Sequence, residues 1–267
     1  MLAAKSPISA PDELDDYPED GFQHLAAAEA AHYWFTARNR IIRASLAEVL
    51  GDLRGRAVLD IGCGTGFVLA DLERAGMVST GVDMHPDAVA RARQRLVGTA
   101  VCARASQLDQ WGCYDAVLLC DVIEHSANDV GLLAEAGRLA KLGGCILVTV
   151  PAFRSLWTEI DDMAGHKRRY TARLLHSSLK RAGLAPVFIR YFNILSLPLQ
   201  FLQRLAARGR SDVASLRAVA DRVPPAPMNK LLGWMALADL PLGRLGIPAG
   251  GSLIAVAQPA SIEGSQD

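Results

Sequence analysis

Short apolar runs and amphipathic segments alternate along this chain from residue 57 to residue 257. Apolar runs bounded by turn residues predict buried strands, and segments with apolar positions three or four residues apart predict helices. The predicted strands are Ala57–Ile61, Val78–Asp83, Ala100–Ala103, Ala116–Cys120, Cys145–Val150, Ala185–Tyr191 and Gly251–Ala257. The predicted helices among them are Gly66–Ala75, Pro86–Leu96, Asn128–Leu142 and Ala172–Ala182. This alternation with short connections predicts an α/β fold with a mostly parallel, doubly wound sheet of seven strands.

Two helical segments precede the alternating region, around Phe22–Ala31 and Thr36–Leu50, and a long insertion interrupts it before the last strand. The insertion holds apolar stretches at Leu195–Leu205 and Leu231–Leu240, which a proline-rich turn at Val223–Pro227 separates. Apolar positions in the second stretch follow helical spacing: Leu231, Trp234, Met235 and Ala238. We favour a helical cap that completes the core. A wall for an apolar acceptor, or a patch that touches a membrane surface, is the alternative.

The charge is balanced, with 28 basic and 28 acidic residues, so no overall field favours nucleic acid as a partner. Five cysteines, an odd number without a C-x-x-C pair, indicate a reducing compartment and free thiols. The start of the chain lacks the basic and apolar segments of a signal peptide, and no apolar run approaches the ~20 residues that span a bilayer. We therefore expect a cytoplasmic protein with a disordered N-terminal tail.

A glycine-rich turn follows the first predicted strand and leads into a helix. Glycines stand at positions 62, 64 and 66, where a ligand can approach bare backbone and the free N–H groups of a helix start. Dinucleotide-binding turns need a third glycine for close helix–strand packing, and Phe67 takes that place here. The bulky ring argues against a pyrophosphate-containing cofactor.

An acidic residue ends the second predicted strand. Asp83 lies roughly 20 residues after the turn, which is the usual separation for a carboxylate that binds ribose hydroxyls. A helix-capping acid is the alternative. Together the turn and the acid indicate a cofactor with ribose but no pyrophosphate, a description that fits S-adenosylmethionine (SAM).

Four segments carry a family resemblance: Val58–Gly66, Gly81–Met84, Tyr114–His125 and Leu142–Pro151. In their order and spacing across residues 55–155 the chain resembles the class I SAM-dependent methyltransferases. The wider resemblance is to ubiquinone-pathway O-methyltransferases and to bacterial methyltransferases of glycans and secondary metabolites. It implies an enzyme that transfers a methyl group from SAM, leaving S-adenosylhomocysteine. The implied acceptor is a small molecule or a lipid- or glycan-linked group, with oxygen favoured as the acceptor atom.

The resemblance implies a Rossmann-like class I methyltransferase fold whose last strand runs antiparallel beside its predecessor. The chain is accordingly divided into a disordered tail (1–20), an N-terminal helical lid (21–54), a SAM-binding Rossmann-like core (55–191), a helical cap insertion (192–250), and the last strand with a C-terminal tail (251–267). Most proteins of this fold join their last two strands by a tight hairpin. The insertion is therefore a departure from the family pattern.

The resemblance also assigns residues to the cofactor. Asp60 is expected to hold the methionine amino group, Asp83 to accept from both ribose hydroxyls, and Met84 to pack on adenine. The other expected cofactor-binding residues are Arg38, Gly62, Cys63, Gly64, Gly66, Ala105, Ser106 and Asp121.

The adenine edge departs from the family pattern. Family members often place an acid after the third strand to accept from the adenine amine, whereas the stretch 103–108 contains none. Backbone groups of Ala105 and Ser106 are one alternative, and the Gln107 side chain is another. Trp111 belongs either to the core or to a stack on the base.

The pentapeptide Asp121–His125 follows the fourth strand, at the edge where ligands bind in open α/β sheets. In one interpretation Asp121 lines the cofactor cleft and His125 caps the next helix; in a second, His125 acts near the acceptor. In a third, Asp121, Glu124 and His125 resemble the divalent-metal site of some ubiquinone-pathway O-methyltransferases, with oxygen ligands that suit Mg²⁺. Many relatives with this pentapeptide need no metal, so we expect a protein without one.

A long loop, Pro151–Tyr170, follows the fifth strand and should cover the acceptor pocket. Because histidine titrates near neutral pH, His166 is the first candidate for the general base toward a hydroxyl acceptor, and His125 is the second. Arg168 and Arg169 are candidates for clamping a phosphate or carboxylate. The alternative is a surface loop whose basic residues pair with nearby acids: Glu159, Asp161 and Asp162.

An aromatic cluster, His32–Phe35, precedes the core together with Arg38. In relatives such an extension folds over the cofactor, where its arginine meets the methionine carboxylate and the lid excludes water. The alternative is a helix packed on the sheet through Trp34 and Phe35. The full set of expected substrate-binding residues is Tyr33, Trp157, Arg168, Arg169 and Tyr170.

Three other functions compete with O-methylation. N- or C-methylation of a secondary metabolite and a catalytically silent SAM-binding partner protein both use the same cofactor residues. The candidate acceptor-side histidines His125 and His166 favour an enzyme over a silent protein. Methylation of nucleic acid is not supported, because the charge is balanced and no N-P-P-Y-like motif is present.

Overall fold

The computed structural model describes residues 22, 26, 28–198, 201–202 and 223–260, and the predicted tail 1–20 lies outside them. Its strands are β1 (Ala57–Ile61), β2 (Val78–Asp83), β3 (Thr99–Cys102), β4 (Tyr114–Cys120), β5 (Ala140–Pro151), β6 (Leu184–Phe192) and β7 (Ser252–Pro259). Its principal helices are α1 (Tyr33–Leu50), α2 (Phe67–Arg74), α3 (Pro86–Arg95), α4 (Asp129–Leu139), α5 (Glu159–Met163), α6 (Ala172–Arg181) and α7 (Ala226–Arg244). Short 3-10 turns occupy Ala105–Gln107 and Arg154–Leu156.

The seven strands form one sheet in the order β3-β2-β1-β4-β5-β7-β6. Strands β1 to β5 pair in parallel, and β7 lies antiparallel between β5 and β6. The predicted fold, including the antiparallel last strand, is confirmed. From β1 the chain winds outward to β3 and then returns to β4 on the other side of β1, which places a topological switch point between β1 and β4. Ligands bind outside the carboxyl ends of strands at such a point.

Helices cover both faces of the sheet, so its central strands are buried on both sides. Leu59 and Val117 point into one apolar cluster, whereas their neighbours Val58 and Leu118 point into the other. All four side chains are fully buried. Burial on both faces explains why these strands are continuous apolar runs rather than alternating ones, and each such side chain contributes roughly 1.5–3 kcal/mol.

The predicted boundary between α4 and β5 is wrong by several residues. The apolar pattern extends the helix to Leu142, but the helix ends at Leu139 and β5 begins at once at Ala140. Ala140 pairs with Tyr114 of β4, and the Lys141 ammonium lies 2.7 Å from Asp115 Oδ2. These contacts with a distant strand hold the segment extended and leave Leu142 exposed.

The predicted apolar face of α7 is also wrong. Leu231 is 54% and Trp234 62% exposed, whereas the buried positions of the helix are Leu232, Ala236, Asp239 and Gly243. Asp239 accepts hydrogen bonds from the backbone N–H groups of Ile194 (2.9 Å) and Leu195 (3.2 Å), so a polar anchor lies at the centre of the packed face. The stretch 195–205 falls partly outside the described residues. Within the described part of the chain, no helix is long and apolar enough to cross a bilayer.

Candidate functional site

A cavity of about 690 Å³ lies at the carboxyl edge of the sheet, beside the switch point. Its volume is in the range of small-molecule binding sites. The glycine turn after β1, the ends of β2 and β4, helix α1 and the loop after β5 all contribute to its walls. The expected site residues that line it are Arg38, Asp60, Gly62, Cys63, Gly64, Asp83, Met84, Ala105, Ser106, Asp121, His125 and His166.

The three glycines of the turn differ in their surroundings and therefore in why a glycine is needed. A Cβ on Gly62 would lie 2.6 Å from Val122 Cγ2, so no larger residue fits between the turn and the β4 loop. Gly64 has a φ of +52° and faces open space apart from Phe22 at 3.9 Å. Gly66 does not line the cavity: it is the N-cap of α2 with a φ of +78°, and a Cβ there would lie 3.1 Å from Leu96 Cγ. Gly66 thus contributes to the backbone shape of the turn and does not face the cavity.

Asp83 lies at the end of β2 and is buried against the glycine turn. Its Oδ2 accepts the backbone N–H of Gly64 at 2.9 Å, and its Oδ1 accepts that of His85 at 2.9 Å. His85 is the N-cap residue of α3, so Asp83 lies outside that helix cap. Burial raises the pKa of Asp83, and the two N–H groups oppose the shift. Asp83 also lines the cavity, so its carboxylate oxygens are placed to accept from hydroxyl groups of a ligand.

Asp60 ends β1 and is almost fully buried beside the same turn. Burial raises its pKa to about 8, with Arg38 opposing the shift and Asp83 and Asp121 adding to it. Its Oδ1 has no hydrogen-bond partner in the described part of the chain. A buried carboxyl oxygen without a partner is costly, and one on a cavity wall is a natural acceptor for a polar ligand group.

Arg38 and Asp121 bridge helix α1 and the end of β4. The guanidinium NH1 lies 2.6 Å from Asp121 Oδ2, and the guanidinium carbon lies 4.6 Å from the centre of the Trp34 ring. Asp121 has a φ of +56°, a conformation that costs a non-glycine residue energy and is concentrated at functional sites. The pair fixes the N-terminal helix over the cavity.

The stretch after β3, where an adenine edge is expected, lines the cavity. Ala105 and Ser106 lie in the 3-10 turn on the cavity wall. Gln107 does not line the cavity, because its Oε1 accepts the backbone N–H of Arg104 at 2.8 Å. Trp111 is not in the core and does not line the cavity: it is half-exposed, with the Arg138 guanidinium 4.7 Å from its ring centre. Of the alternatives weighed from sequence, the backbone of Ala105 and Ser106 is the one whose position suits a base.

His125 and His166 both line the cavity, with ring centres 4.8 Å apart. Burial lowers the pKa of His125 to about 4, and the neighbouring His166 adds to the shift. The Nδ1 atom of His166 lies 2.9 Å from Asp161 Oδ1, which holds the ring in place. The two histidines are 41 positions apart in the sequence, and the loop after β5 brings them together.

The five expected substrate-binding residues do not line the cavity. Arg169 is buried, with Nε 2.7 Å from Asp161 Oδ1, and Tyr170 is fully buried with its hydroxyl 2.9 Å from Asp129 Oδ2. Arg168 NH1 lies 2.9 Å from Asp129 Oδ1. The remaining two, Trp157 and Tyr33, bond to Asp162 and Asn229 through Nε1 and the backbone N–H. The paired-loop alternative therefore describes Arg168 and Arg169 better, although the partners come from α4 as well as from the loop.

The sequence did not identify every residue of the cavity wall that lies before or after the glycine turn along the chain. Glu29 Oε2 accepts from Thr65 Oγ1 at 2.6 Å and lies 2.7 Å from Arg95 NH1, which links the N-terminal segment to the turn and to α3. Aromatic rings also line this side: Phe22, Trp34, Phe35 and Phe67. Phe67, whose bulk argues against a pyrophosphate-containing cofactor, lies on the cavity wall.

Known proteins share both the sequence pattern and the fold. Residues 59–148 match the family described as Methyltransferase domain. The chain is 30% identical over 141 residues to the ubiquinone biosynthesis O-methyltransferase of Pseudomonas paraeruginosa, an alignment covering 47% of this chain and 61% of that protein. The chain therefore spans about 61% of the length of this curated relative.

Solved structures extend the likeness to nearly the whole chain. The Burkholderia thailandensis 1,6-didemethyltoxoflavin-N1-methyltransferase superimposes with a TM-score of 0.57 at 18% identity, covering 96% of this chain and 93% of that one. The 4+2 cyclase SpnF gives a TM-score of 0.55 at 24% identity, covering 85% and 83%. Residues 59–148 thus match a methyltransferase domain in sequence, and the chain shares the fold of these solved structures. The matched residues 59–148 include the glycine turn, Asp60, Asp83 and the Asp121–His125 segment.

Proposed function

We propose that the protein is a SAM-dependent methyltransferase that acts on a small-molecule or a lipid- or glycan-linked acceptor, with oxygen as the acceptor atom. The observation that carries this proposal is the pairing of Asp60 and Asp83 on the wall of one cavity, on either side of a glycine turn at the switch point. The match to a methyltransferase domain and the ubiquinone biosynthesis O-methyltransferase relatives support it.

The residues present fit SAM as the resident cofactor. Asp60 Oδ1, which lacks a partner among the described residues, suits the amino group of the methionine part. Asp83 lines the cavity as a two-oxygen acceptor and suits the ribose hydroxyls. Met84, Ala105 and Ser106 provide the wall for adenine. Arg38 lines the same cavity and suits the carboxylate. When bound there, SAM supplies an electrophilic methyl group.

The protein itself contributes to methyl transfer by positioning the acceptor, excluding water and accepting one proton. The aromatic residues of α1 cover the cavity from the N-terminal side, and the Arg38–Asp121 ion pair holds that helix down. A hydroxyl acceptor must lose its proton during displacement. His166 is the proposed base, because it lines the cavity and Asp161 holds its ring through Nδ1.

We propose that the 21–54 segment serves as a lid and that the 192–250 insertion supports it. None of the described residues of the insertion lines the cavity. Instead, α7 packs on α1, and Asn229 accepts the backbone N–H of Tyr33 at 2.9 Å and donates to Ala31 O at 2.7 Å. The insertion would then act on the site through the position of α1.

Transfer can be measured with isotopically labelled SAM and a panel of phenolic, catechol and hydroxylated glycan-linked acceptors. We expect label in an O-methyl product, and His166→Asn should lower kcat by ~10²–10⁴-fold with little change in S-adenosylhomocysteine affinity. His176→Asn, a change at an exposed histidine of α6, is the matched control. Cofactor binding without transfer to any acceptor would indicate a silent SAM-binding protein, and wild-type kcat in His166→Asn would remove the base assignment.

A further inference from the structure

We infer that Glu135 of α4 is the hydrogen-bond acceptor for the exocyclic amine of the cofactor's adenine. The inference rests on the proposed function, since it takes SAM as the ligand of the cavity. An acid for this amine would be expected after β3, but the stretch 103–108 contains none. An amine donates hydrogen bonds, and a carboxylate from another element can accept them equally well.

One face of α4 forms part of the cavity wall. The lining residues of the helix and its N-cap recur at intervals of three or four positions, which places them on one side of the helix: Asn128, Gly131, Leu132 and Glu135. Asn128 serves the helix itself, because its Oδ1 accepts the backbone N–H of Gly131 at 2.9 Å. Of these four residues, only Glu135 is charged.

The second half of α4 packs on the segment that follows β3. The helix contacts the 3-10 turn that begins at Ala105, and Ala105 shares a buried apolar cluster with Ala136. Farther along, the carbonyl of Arg138 accepts the backbone N–H of Gly112 at 2.9 Å. Glu135 therefore lies where α4 meets the part of the wall that suits a base.

The Glu135 carboxylate has room for a new donor. The side chain is half-buried, and it forms no hydrogen bond or ion pair with any residue that the structure describes. Burial raises the pKa of Glu135, and the charge of Arg138 opposes the shift. The Arg138 guanidinium itself lies over the Trp111 ring, 4.7 Å from its centre. A donor from a ligand would favour the ionised carboxylate.

Four other acids line the cavity: Glu29, Asp60, Asp83 and Asp121. In the proposed function, Asp60 and Asp83 bind the methionine and ribose parts of the cofactor. Asp121 and Glu29 each form an ion pair with an arginine, at 2.6 and 2.7 Å respectively. Among the acids of the wall, Glu135 is therefore the one left for the base.

The test is calorimetric titration of the full-length protein with two ligands that share ribose and homocysteine. One is S-adenosylhomocysteine, and the other is its 6-deamino analogue, in which hydrogen replaces the exocyclic amine. We expect the wild type to bind S-adenosylhomocysteine more tightly than the analogue by roughly tenfold or more, because the analogue leaves Glu135 without its donor.

Two variants of Glu135 assign this preference to the carboxylate. Glu135→Met removes the acceptor at similar side-chain length and should reduce the preference to less than about threefold, mainly by weakening S-adenosylhomocysteine. Glu135→Gln retains a neutral acceptor oxygen and should give an intermediate preference. Asp87→Ala, at an exposed acid of α3 outside the cavity, is the control and should keep the wild-type preference.

The ratio of the two affinities separates recognition of the amine from a structural role, because a disturbed helix would weaken both ligands alike. Circular dichroism before each titration checks that the variants are folded. Carboxyl-carbon NMR of the wild type covers the case in which a variant fails to fold. The Glu135 signal should shift more with S-adenosylhomocysteine than with the 6-deamino analogue.

The outcomes keep this inference apart from the proposed function. S-adenosylhomocysteine binding with no preference over the analogue, or with the same preference in the wild type and Glu135→Met, would overturn the inference and leave the proposed cofactor in place. Equal shifts of the Glu135 signal with both ligands would do the same. Absence of binding of either ligand to the wild type would overturn the proposed cofactor and this inference with it.

Discussion

Asp60 carries a carboxyl group whose pKa lies at about 8, against an ordinary value of 3.8. Burial is the main cause, and the nearby acids Asp83 and Asp121 add to it against the opposing charge of Arg38. In the ligand-free protein the group is therefore largely protonated at neutral pH. A cationic amino group placed beside its Oδ1 would favour the ionised form.

The direction of this pKa shift can be tested by measuring how stability changes with pH. Between its unfolded and folded pKa values Asp60 binds more protons in the folded state, so its contribution to the free energy of unfolding falls as pH rises from about 4 to about 8. Asp60→Asn removes this dependence. We expect the free energy of unfolding of the wild type to fall relative to the variant by up to about 1.4 kcal/mol per pH unit within that window.

Urea denaturation of both proteins at pH 5, 6, 7 and 8 measures the difference directly, and other titrating groups cancel in the comparison. Glu124 and Asp83 have pKa shifts of the same direction, so the slope of either protein alone would not isolate Asp60. A constant difference between the two proteins across the series would show that Asp60 is ionised in the folded state.

At the scale of single residues, sequence reasoning worked where local spacing sets position. Asp60 and Asp83 end strands that read as continuous apolar runs, and both line the cavity as expected. It did not work for Arg169 and Tyr170, whose partners Asp161 and Asp129 lie on separate elements. Whether a basic loop residue faces a ligand or a protein acid depends on such distant partners.

At the scale of elements, α7 shows how a prediction from hydrophobic periodicity fails when the packed face is centred on a buried polar residue. The apolar positions Leu231 and Trp234 predict one buried face, whereas the packed face is centred on Asp239. The carboxylate of Asp239 satisfies the two N–H groups that follow β6, and no apolar residue could do so. By contrast, β1 and β2 agree with the sequence to the residue, because strands buried on both faces are bounded by abrupt changes of composition.

The two faces of α7 differ in their effect on stability. Asp239→Ala leaves two backbone N–H groups without acceptors and should lower the free energy of unfolding by about 2–4 kcal/mol. Trp234→Ser, on the exposed face, should change it by less than about 0.5 kcal/mol. Urea denaturation of both variants beside the wild type gives the comparison. A loss of stability for Trp234→Ser as large as that for Asp239→Ala would mean that the predicted face is core after all.

At the scale of the whole molecule, strand order decides where the site lies. The sheet winds away from β1 on both sides, and the carboxyl ends of β1, β2 and β4 converge on one cavity. The alternation of strands and helices in the sequence is enough to predict this arrangement. The lid and the histidine pair depend on how α1 and the loop after β5 fold back over the sheet, which no local pattern specifies.

The most direct test of the account is calorimetric titration of the full-length protein with S-adenosylhomocysteine. We predict one binding site, a loss of about 2–4 kcal/mol of binding free energy in Asp83→Ala, and unchanged affinity in Asp87→Ala, a control at an exposed acid of α3. The reason is that Asp83 offers a two-oxygen acceptor at the turn where the ribose would lie. Equal affinity of the wild type and Asp83→Ala would contradict the account, as would the absence of binding.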